Sequence, residues 1–244
     1  MLKKNFSIEV NQLYKIYDIN RYDLKYFFNY KNNNKRQIVA LDNVNIRIIE
    51  GEKIGLIGNN GAGKSTLLKI ISRITHPTSG SIAICGRVGS LLEAGVGFHL
   101  ELTGVENIYL NGAILGMSRK DIQKHVGKII EFAELLNFKD TQLKKYSTGM
   151  QIKLAFSISV FLKSDILILD EILSVVDQYF QEKCINQILK SCKEHNRTLI
   201  FVSHNLETVK ELCQKVIFMK NGRAEMFDET NKVINLYQKD LVRN

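Results

Sequence analysis

The stretch Gly58-Asn59-Asn60-Gly61-Ala62-Gly63-Lys64-Ser65-Thr66 decides the fold. It follows the apolar run Ile54-Gly55-Leu56-Ile57 and leads into Leu67-Leu68-Lys69-Ile70-Ile71, so the chain reads strand, glycine loop, helix. The string fits G-x-x-x-x-G-K-[ST], the phosphate-binding loop. Gly58, Gly61 and Gly63 let the backbone turn tightly and bring its N–H groups close to a phosphate chain. The helix that follows adds positive potential where anions sit. Lys64 is placed to reach the β- and γ-phosphates, and the Ser65 hydroxyl to ligate Mg²⁺, with Thr66 beside it. A glycine-rich turn between any strand and helix is the bland alternative. Lys and Ser at fixed offsets, in the right strand-to-helix context, set nucleotide binding above it.

Composition bounds the rest. A chain of 244 residues holds one or two domains and is long enough to bury a core. With 45% hydrophobic and 24% charged residues it has the make-up of an ordinary globular protein. No apolar run approaches the ~18 residues of a membrane span. The start, MLKKNFSIEVNQLYK, is basic but lacks the apolar core of a signal peptide. The expected place is the cytosol, or a membrane surface reached through a partner. Cys85, Cys184, Cys192 and Cys213 form no C-x-x-C pair and neighbour no His at metal spacing, which leaves reduced thiols. A net charge of +9 and a pI near 9.3 suit nucleic acid, anionic lipid or nucleotide phosphates. No helix-turn-helix, zinc finger or aromatic RNA-binding signature accompanies that charge, so nucleic acid is not expected.

Residues 6–17 and 38–49 alternate apolar and polar, as half-buried strands do, and predict a small antiparallel sheet beside the nucleotide site. Between them, residues 18–37 carry Tyr22, Tyr26 and Tyr30 four apart with Phe27 alongside, and five basic residues against two acidic. On a helix this is one aromatic, basic face, suited to a membrane interface or a partner, or else to packing on its own domain. Residues 75–80 read as a turn, and 81–86 and 87–92 as strands. From Gly95 glycines multiply and periodicity weakens. Then Ile122, Val126, Ile129, Ile130, Ala133 and Leu136 fall at helical spacing, and a second helix follows from Met150. A helical subdomain over about 98–163 is expected. The α/β texture returns with strands at 166–169 and 198–202 around a helix at 178–195. Asn221-Gly222 between Val216–Met219 and Arg223–Phe227 is a hairpin signal, and a basic amphipathic helix closes the chain over 230–243.

An NTP-hydrolysing site needs an acid that holds the metal and a base that activates water. Asp170 and Glu171 end the buried strand at 166–169, where ligands gather in open parallel sheets. Asp170 is the candidate Mg²⁺ residue and Glu171 the candidate base; a strand-end acid pair in solvent is the alternative. His204 also ends a strand, positioned to touch a γ-phosphate. Tyr17, at the end of the first strand, is a candidate to stack on a base. Ser147, in Tyr146-Ser147-Thr148-Gly149-Met150-Gln151, has the look of a helix N-cap whose exposed N–H groups suit an anion.

The order GNNGAGKST, YSTGMQ, ILILDE, SVVD, SH resembles the ATP-binding cassette family and runs through essentially the whole chain. The resemblance implies an α/β fold: a P-loop NTPase core with a small antiparallel β-subdomain and an inserted α-helical subdomain, residues 1–244 forming one nucleotide-binding domain. It implies ATP and Mg²⁺ as ligands and a head-to-tail homodimer. In that pairing Ser147 and Gly149 of one copy close on ATP held by the phosphate loop of the other. Asp177 resembles the acid of the D-loop between the two sites, and Tyr17 the aromatic that stacks on adenine. Two departures stand out. The usual signature LSGGQ reads YSTGM here, and the usual Q-loop glutamine is not visible, Glu93 being the candidate for its place and a possible metal contact. The segments LLEAGVGFHLELTGVENIYLNGAILGMS and EILSVVDQYFQEKC resemble one branch, the cassettes that export O-antigen, capsule or teichoic acid chains. That branch implies a membrane permease partner, a lipid-linked glycan as cargo and a peripheral place on the cytoplasmic face of the inner membrane. The insert at 18–37 resembles a helical segment of O-antigen and teichoic acid exporters. The chain stops at Asn244, which implies that a C-terminal carbohydrate-binding domain is absent. A soluble cassette of translation or DNA repair is the alternative class. A GTPase lacks its NKxD here, and a kinase or a non-hydrolysing regulator fits the motifs less well.

Overall fold

The computed structural model describes residues 6–19, 36–90, 97–114, 116–161, 164–169 and 176–243. The chain divides into two compact units. The first takes residues up to 48, 56–85 and 215 onward, and the second takes 49–55 and 86–214.

In the first unit, β1 (Phe6–Ile19), β2 (Arg36–Ile49) and β4 (Ser79–Ile84) form a three-stranded sheet in the order β2-β1-β4. β1 and β4 run antiparallel. The expected sheet is there, but it has three strands, and the 81–86 candidate belongs to it. β1 buries Ile8 and Val10, then switches parity to bury Leu13. The cause is a bulge: Gln12 sits at φ 46 and the register with β4 shifts between Asn11 and Tyr14. Opposite it, a Cβ on Gly80 would lie 2.0 Å from the Gln12 carbonyl oxygen, so the bulge demands glycine there. β1 runs to Ile19, two residues past Tyr17, and β2 begins at Arg36. The ends of the 18–37 segment are therefore strand, and its aromatic centre lies outside the described residues.

β3 (Lys53–Ile57) leads through the glycine loop into α1 (Lys64–Ile71), which buries Leu67, Leu68, Ile70 and Ile71. β8 (Lys215–Lys220) and β9 (Arg223–Glu229) form the antiparallel hairpin expected from Asn221-Gly222. Those two residues have φ 48 and 80, the pair of positive values that a two-residue I′ turn requires. α7 (Thr230–Arg243) closes the unit and buries Val233, Ile234 and Tyr237.

In the second unit, β5 (Val88–Ser90), β6 (Ile166–Leu169) and β7 (Thr198–Val202) pair in parallel. Every residue of β6 and β7 is buried, which is why both read as unbroken apolar runs rather than alternating ones. α5 (Gln178–His195) lies between them in the chain. Asp177 caps its start by accepting from the Phe180 N–H at 2.9 Å, and Asn196 ends it at φ 50. α6 (Leu206–Leu212) follows β7, capped by Asn205.

α2 (Gly104–Ile114), α3 (Arg119–Phe132) and α4 (Thr148–Phe161) share a core of Ile108, Ile122, Ile129, Ile130, Leu154 and Ile158. Each such side chain contributes about 1.5–3 kcal/mol by leaving water. α2 has no sequence signal of its own because glycines interrupt it. Gly104 and Gly112 are both needed: Cβ atoms there would stand 2.3 Å from the Tyr146 hydroxyl and 2.7 Å from Ile122. Leu136, the last position of the helical run, lies instead in a single 3-10 turn over Leu136–Phe138. Among the described residues no helix is long and apolar enough to cross a membrane.

Candidate functional site

The phosphate loop is built by backbone sterics. Gly58, Gly61 and Gly63 take φ 147, 79 and 100. A Cβ on Gly58 would lie 2.2 Å from the Met219 carbonyl oxygen, and one on Gly63 2.6 Å from that of Ala40. The loop is thus wedged between β8 and β2. Ala62 accepts from the Gly222 N–H at 3.1 Å, and Gly222 in turn accepts from Asp42 N–H at 2.9 Å. Asp42 also pairs with Arg223 at 2.6 Å, which ties β2 to the hairpin. Gly61 differs from the other two: a Cβ there would meet nothing within 4 Å. Its left-handed backbone faces open space, with Asn59, Asn60 and Gly61 exposed around it.

α1 has no side-chain cap and no acid in its first turn. Its first N–H groups and their positive potential are left for an anion. The Lys64 ammonium folds back over the loop, donating to the Gly58 oxygen at 2.5 Å and the Asn59 oxygen at 3.0 Å. The cradle of N–H groups, open face and lysine fits the polyphosphate of a nucleotide. Ser65 is exposed and Thr66 half-buried on the first turn of α1. No cluster of three or more His, Cys, Asp or Glu that could hold a metal occurs among the described residues. The Ser65 hydroxyl is an oxygen donor of the kind Mg²⁺ takes and would serve as one of its ligands.

Tyr237 of α7 reaches the same loop. Its hydroxyl donates to Asn59 Oδ1 at 3.2 Å, while its ring packs edge-on to Phe218 at 5.2 Å. Burial, with the charge of Asp240 second, pushes its phenol pKa up, so it stays a neutral donor. No motif announces Tyr237; the only sequence signal is the apolar stripe of the closing helix. Tyr17 stands 38% exposed on β1, with the Lys15 ammonium 4.9 Å from its ring centre.

In the second unit, the signature turn is an N-cap. Ser147 Oγ accepts from the Met150 N–H at 3.2 Å, and α4 starts at Thr148. Ser147, Thr148 and Gly149 are exposed. A Cβ on Gly149 would touch only Ser147 Oγ, at an ordinary 3.9 Å. Nothing in the chain itself requires glycine at that point. His204 is exposed at the end of β7, just ahead of the α6 cap. Asp177, besides capping α5, pairs with Lys153 at 2.9 Å. Asp170, Glu171 and Glu93 lie outside the described residues. The cysteines carry no bridge. Burial pushes the thiols of Cys184 and Cys213 up to about 12, which leaves them inert.

Residues 41–174 match the family described as ABC transporter. The O-antigen export system ATP-binding protein RfbB of Klebsiella pneumoniae is 44% identical over 203 residues, 83% of this chain and 82% of its own. The teichoic acids export ATP-binding protein TagH of Staphylococcus haemolyticus is 41% identical over 238 residues, 96% of this chain and 89% of its own. Among solved structures, the ATP-binding cassette MJ0796, in a dimeric post-hydrolysis state with ADP and phosphate, superposes with a TM-score of 0.75 at 23% identity. That match covers 91% of this chain and 98% of the other. An ATP-binding subunit of an ABC transporter superposes at 0.77 and 20% identity, covering 95% and 93%. These last two likenesses establish the fold, an α/β cassette of the phosphate-loop class. Motif order, loop geometry and the two curated relatives converge, and the chain belongs to the ABC transporter family as its ATP-binding, ATP-hydrolysing cassette.

Proposed function

We propose that the chain powers export of a lipid-linked surface polysaccharide, acting as one of two identical cassettes beneath a membrane permease on the cytoplasmic face of the bacterial inner membrane. The cargo class is supported by the relatives, which serve O-antigen export at 44% identity and teichoic acid export at 41%. The paired arrangement is supported by the glycines. Gly149 carries the entropic cost of glycine where the chain's own packing asks for none, and Gly61, kept glycine by its φ of 79, leaves open the space a side chain would fill. Such positions suit close approach by something outside the chain: a phosphate at Gly61, and a second copy's nucleotide at Gly149.

In this reading the loop N–H groups and Lys64 grip the β- and γ-phosphates, and Tyr17 stacks on adenine. Ser147 and Gly149 of the second copy close over the γ-phosphate. Glu171 orients the attacking water, Asp170 and Ser65 hold Mg²⁺, Glu93 takes the Q-loop place and His204 contacts the γ-phosphate. Water attacks the γ-phosphorus, the bond to the ADP oxygen breaks, and the lost contacts reopen the dimer. Bound Mg²⁺ supplies charge neutralisation on the phosphate oxygens. The α2–α4 region forms a helical subdomain that carries the motion to the permease, and the aromatic, basic residues within 18–37 suit a membrane surface.

The test is recovery of partners. Tagged Glu171→Gln protein, loaded with ATP, is captured from detergent-solubilised native membranes and its partners are identified by mass spectrometry. A polytopic membrane protein encoded beside glycan-assembly enzymes is expected, and the neighbouring enzymes separate O-antigen, capsule and teichoic acid. Ribosomes or DNA-repair proteins in its place would overturn the export reading.

A further inference from the structure

A chain of alternating charges crosses the second unit. Lys183 Nζ lies 3.2 Å from Glu134 Oε1, Glu134 Oε2 lies 2.9 Å from Lys153 Nζ, and Lys153 Nζ lies 2.9 Å from Asp177 Oδ2. Lys183 also donates to the Phe132 carbonyl at 2.9 Å. The two ammonium groups rest on aromatic faces, Lys153 at 4.9 Å from the Phe180 ring centre and Lys183 at 4.8 Å from that of Phe132. Those rings pack edge to face at 5.8 Å. The Lys153 side chain is only 20% exposed, so neither of its ion pairs is a fully solvated surface contact. The cluster joins the end of α3, the second turn of α4 and the cap of α5.

The backbone marks the cluster as more than packing. Glu134 stands just past the Ala133 cap of α3, at φ 64 in the left-handed region. Glycine is the usual residue at that place in a helix end, because a side chain there costs about 1 kcal/mol. The chain spends that strain on a carboxylate whose two oxygens hold two different lysines. Strain held in place by its surroundings is a mark of functional positions.

Lys153 is the middle link, and it lies six residues past Ser147 on the helix that Ser147 caps. Asp177 uses one oxygen to cap α5 and the other to hold Lys153. We propose that Lys153, braced by Glu134, is a positioning residue that locks the signature helix to the Asp177 turn, so that both present themselves to the second copy as one rigid block. The proposal rests on the reading that Ser147, Gly149 and Asp177 meet that copy. Without Lys153 each element samples its own orientation, and closing the dimer must order two parts instead of one.

The experiment uses the full chain in the Glu171→Gln background and measures the ATP-dependent monomer–dimer constant by sedimentation. Lys153→Met raises that constant about tenfold, within the range of coupling between sites, and Lys153→Arg recovers most of the loss. ATP affinity of the dilute monomer, set by the phosphate loop, stays at the parent value. Glu134→Gly removes the strained backbone and both ion pairs, so its thermal midpoint holds or rises while dimerisation weakens. A purely structural role predicts no such split. A Lys153→Met dimer as tight as the parent overturns the proposal. Ser147→Ala separates the two levels: if it weakens the dimer and Lys153→Met does not, only the coupling falls. If both leave the dimer unchanged, or the parent stays monomeric with ATP, the paired-site reading falls and the proposal with it.

Discussion

The phosphate loop and the signature turn are both glycine-bearing helix starts, yet they are held by opposite means. At the phosphate loop, three glycines take left-handed backbones, two of them, Gly58 and Gly63, wedged against main-chain oxygens, and α1 begins without any side-chain cap. At the signature turn, Ser147 caps α4 with its hydroxyl, and the helix is braced by ion pairs from its Lys153 to Glu134 beyond α3 and to Asp177 at the cap of α5. The first is fixed by hard-sphere contact. The second is fixed by ion pairs, which respond to pH and salt. A loop that must present N–H groups in one geometry gains from the rigid solution. A surface that must meet another copy and release it gains from the adjustable one.

The sharpest break of this contrast is at Gly58. Gly58→Ala drives a Cβ to 2.2 Å from the Met219 oxygen. It should cost about 3 kcal/mol and abolish ATP binding, read as a fall in thermal midpoint and in nucleotide titration. Gly61→Ala meets no atom and should cost only the left-handed penalty of about 1 kcal/mol. Equal losses at the two positions would refute steric wedging.

Acid should act more on the other region. The hydrogen bond from Lys153 holds Asp177 below its ordinary 3.8, and the same partner holds Glu134 below 4.5. Burial pulls Lys153 down, but its bonds to Glu134 and Asp177 outweigh it and leave the ammonium raised above 10.5. Carboxylates depressed on folding stabilise above their unfolded values and lose that contribution as pH falls through the folded ones. The raised lysine contributes below its unfolded value and is lost as pH climbs through the folded one. The ion pairs therefore stand on a plateau between 4.5 and 10.5. Below it, exchange protection of the Phe180 amide, corrected for intrinsic rate, should fall while that of Leu67, bonded to the Gly63 oxygen, holds. Loss of both together would erase the distinction.

The smallest effect tests whether side chains matter at the phosphate loop at all. Tyr237→Phe removes one hydrogen bond to Asn59 and keeps the ring on Phe218. It should cost about 1 kcal/mol and lower ATP affinity no more than about fivefold in a calorimetric titration. A larger loss would show that the loop depends on the closing helix and not on its glycines alone.

Much of this was legible before any coordinates. The boundaries of β6, α5, β7 and α7 follow from their sequence patterns, because buried parallel strands and capped helices carry local signals. The antiparallel sheet was legible in its alternation, but the bulge at Gln12 was not, since it depends on Gly80 across the strand pair. α2 escaped because its glycines answer to Tyr146 and Ile122, distant in the chain. Ser147 was readable as a cap from its place before a helix.

The sequence by itself determined the phosphate loop and the family, because conformational demands on glycine, lysine and serine at fixed offsets are local and leave few alternatives. Only the tertiary structure decided what Tyr237, Glu134, Lys153 and Lys183 do. Each is an ordinary residue on an ordinary helix or helix end, and its partner is chosen by packing between segments that the chain's order keeps apart. An ion pair or a hydrogen bond across such a gap has no spacing to betray it, which is why the fixed half of the machinery is written in a motif and the adjustable half is not.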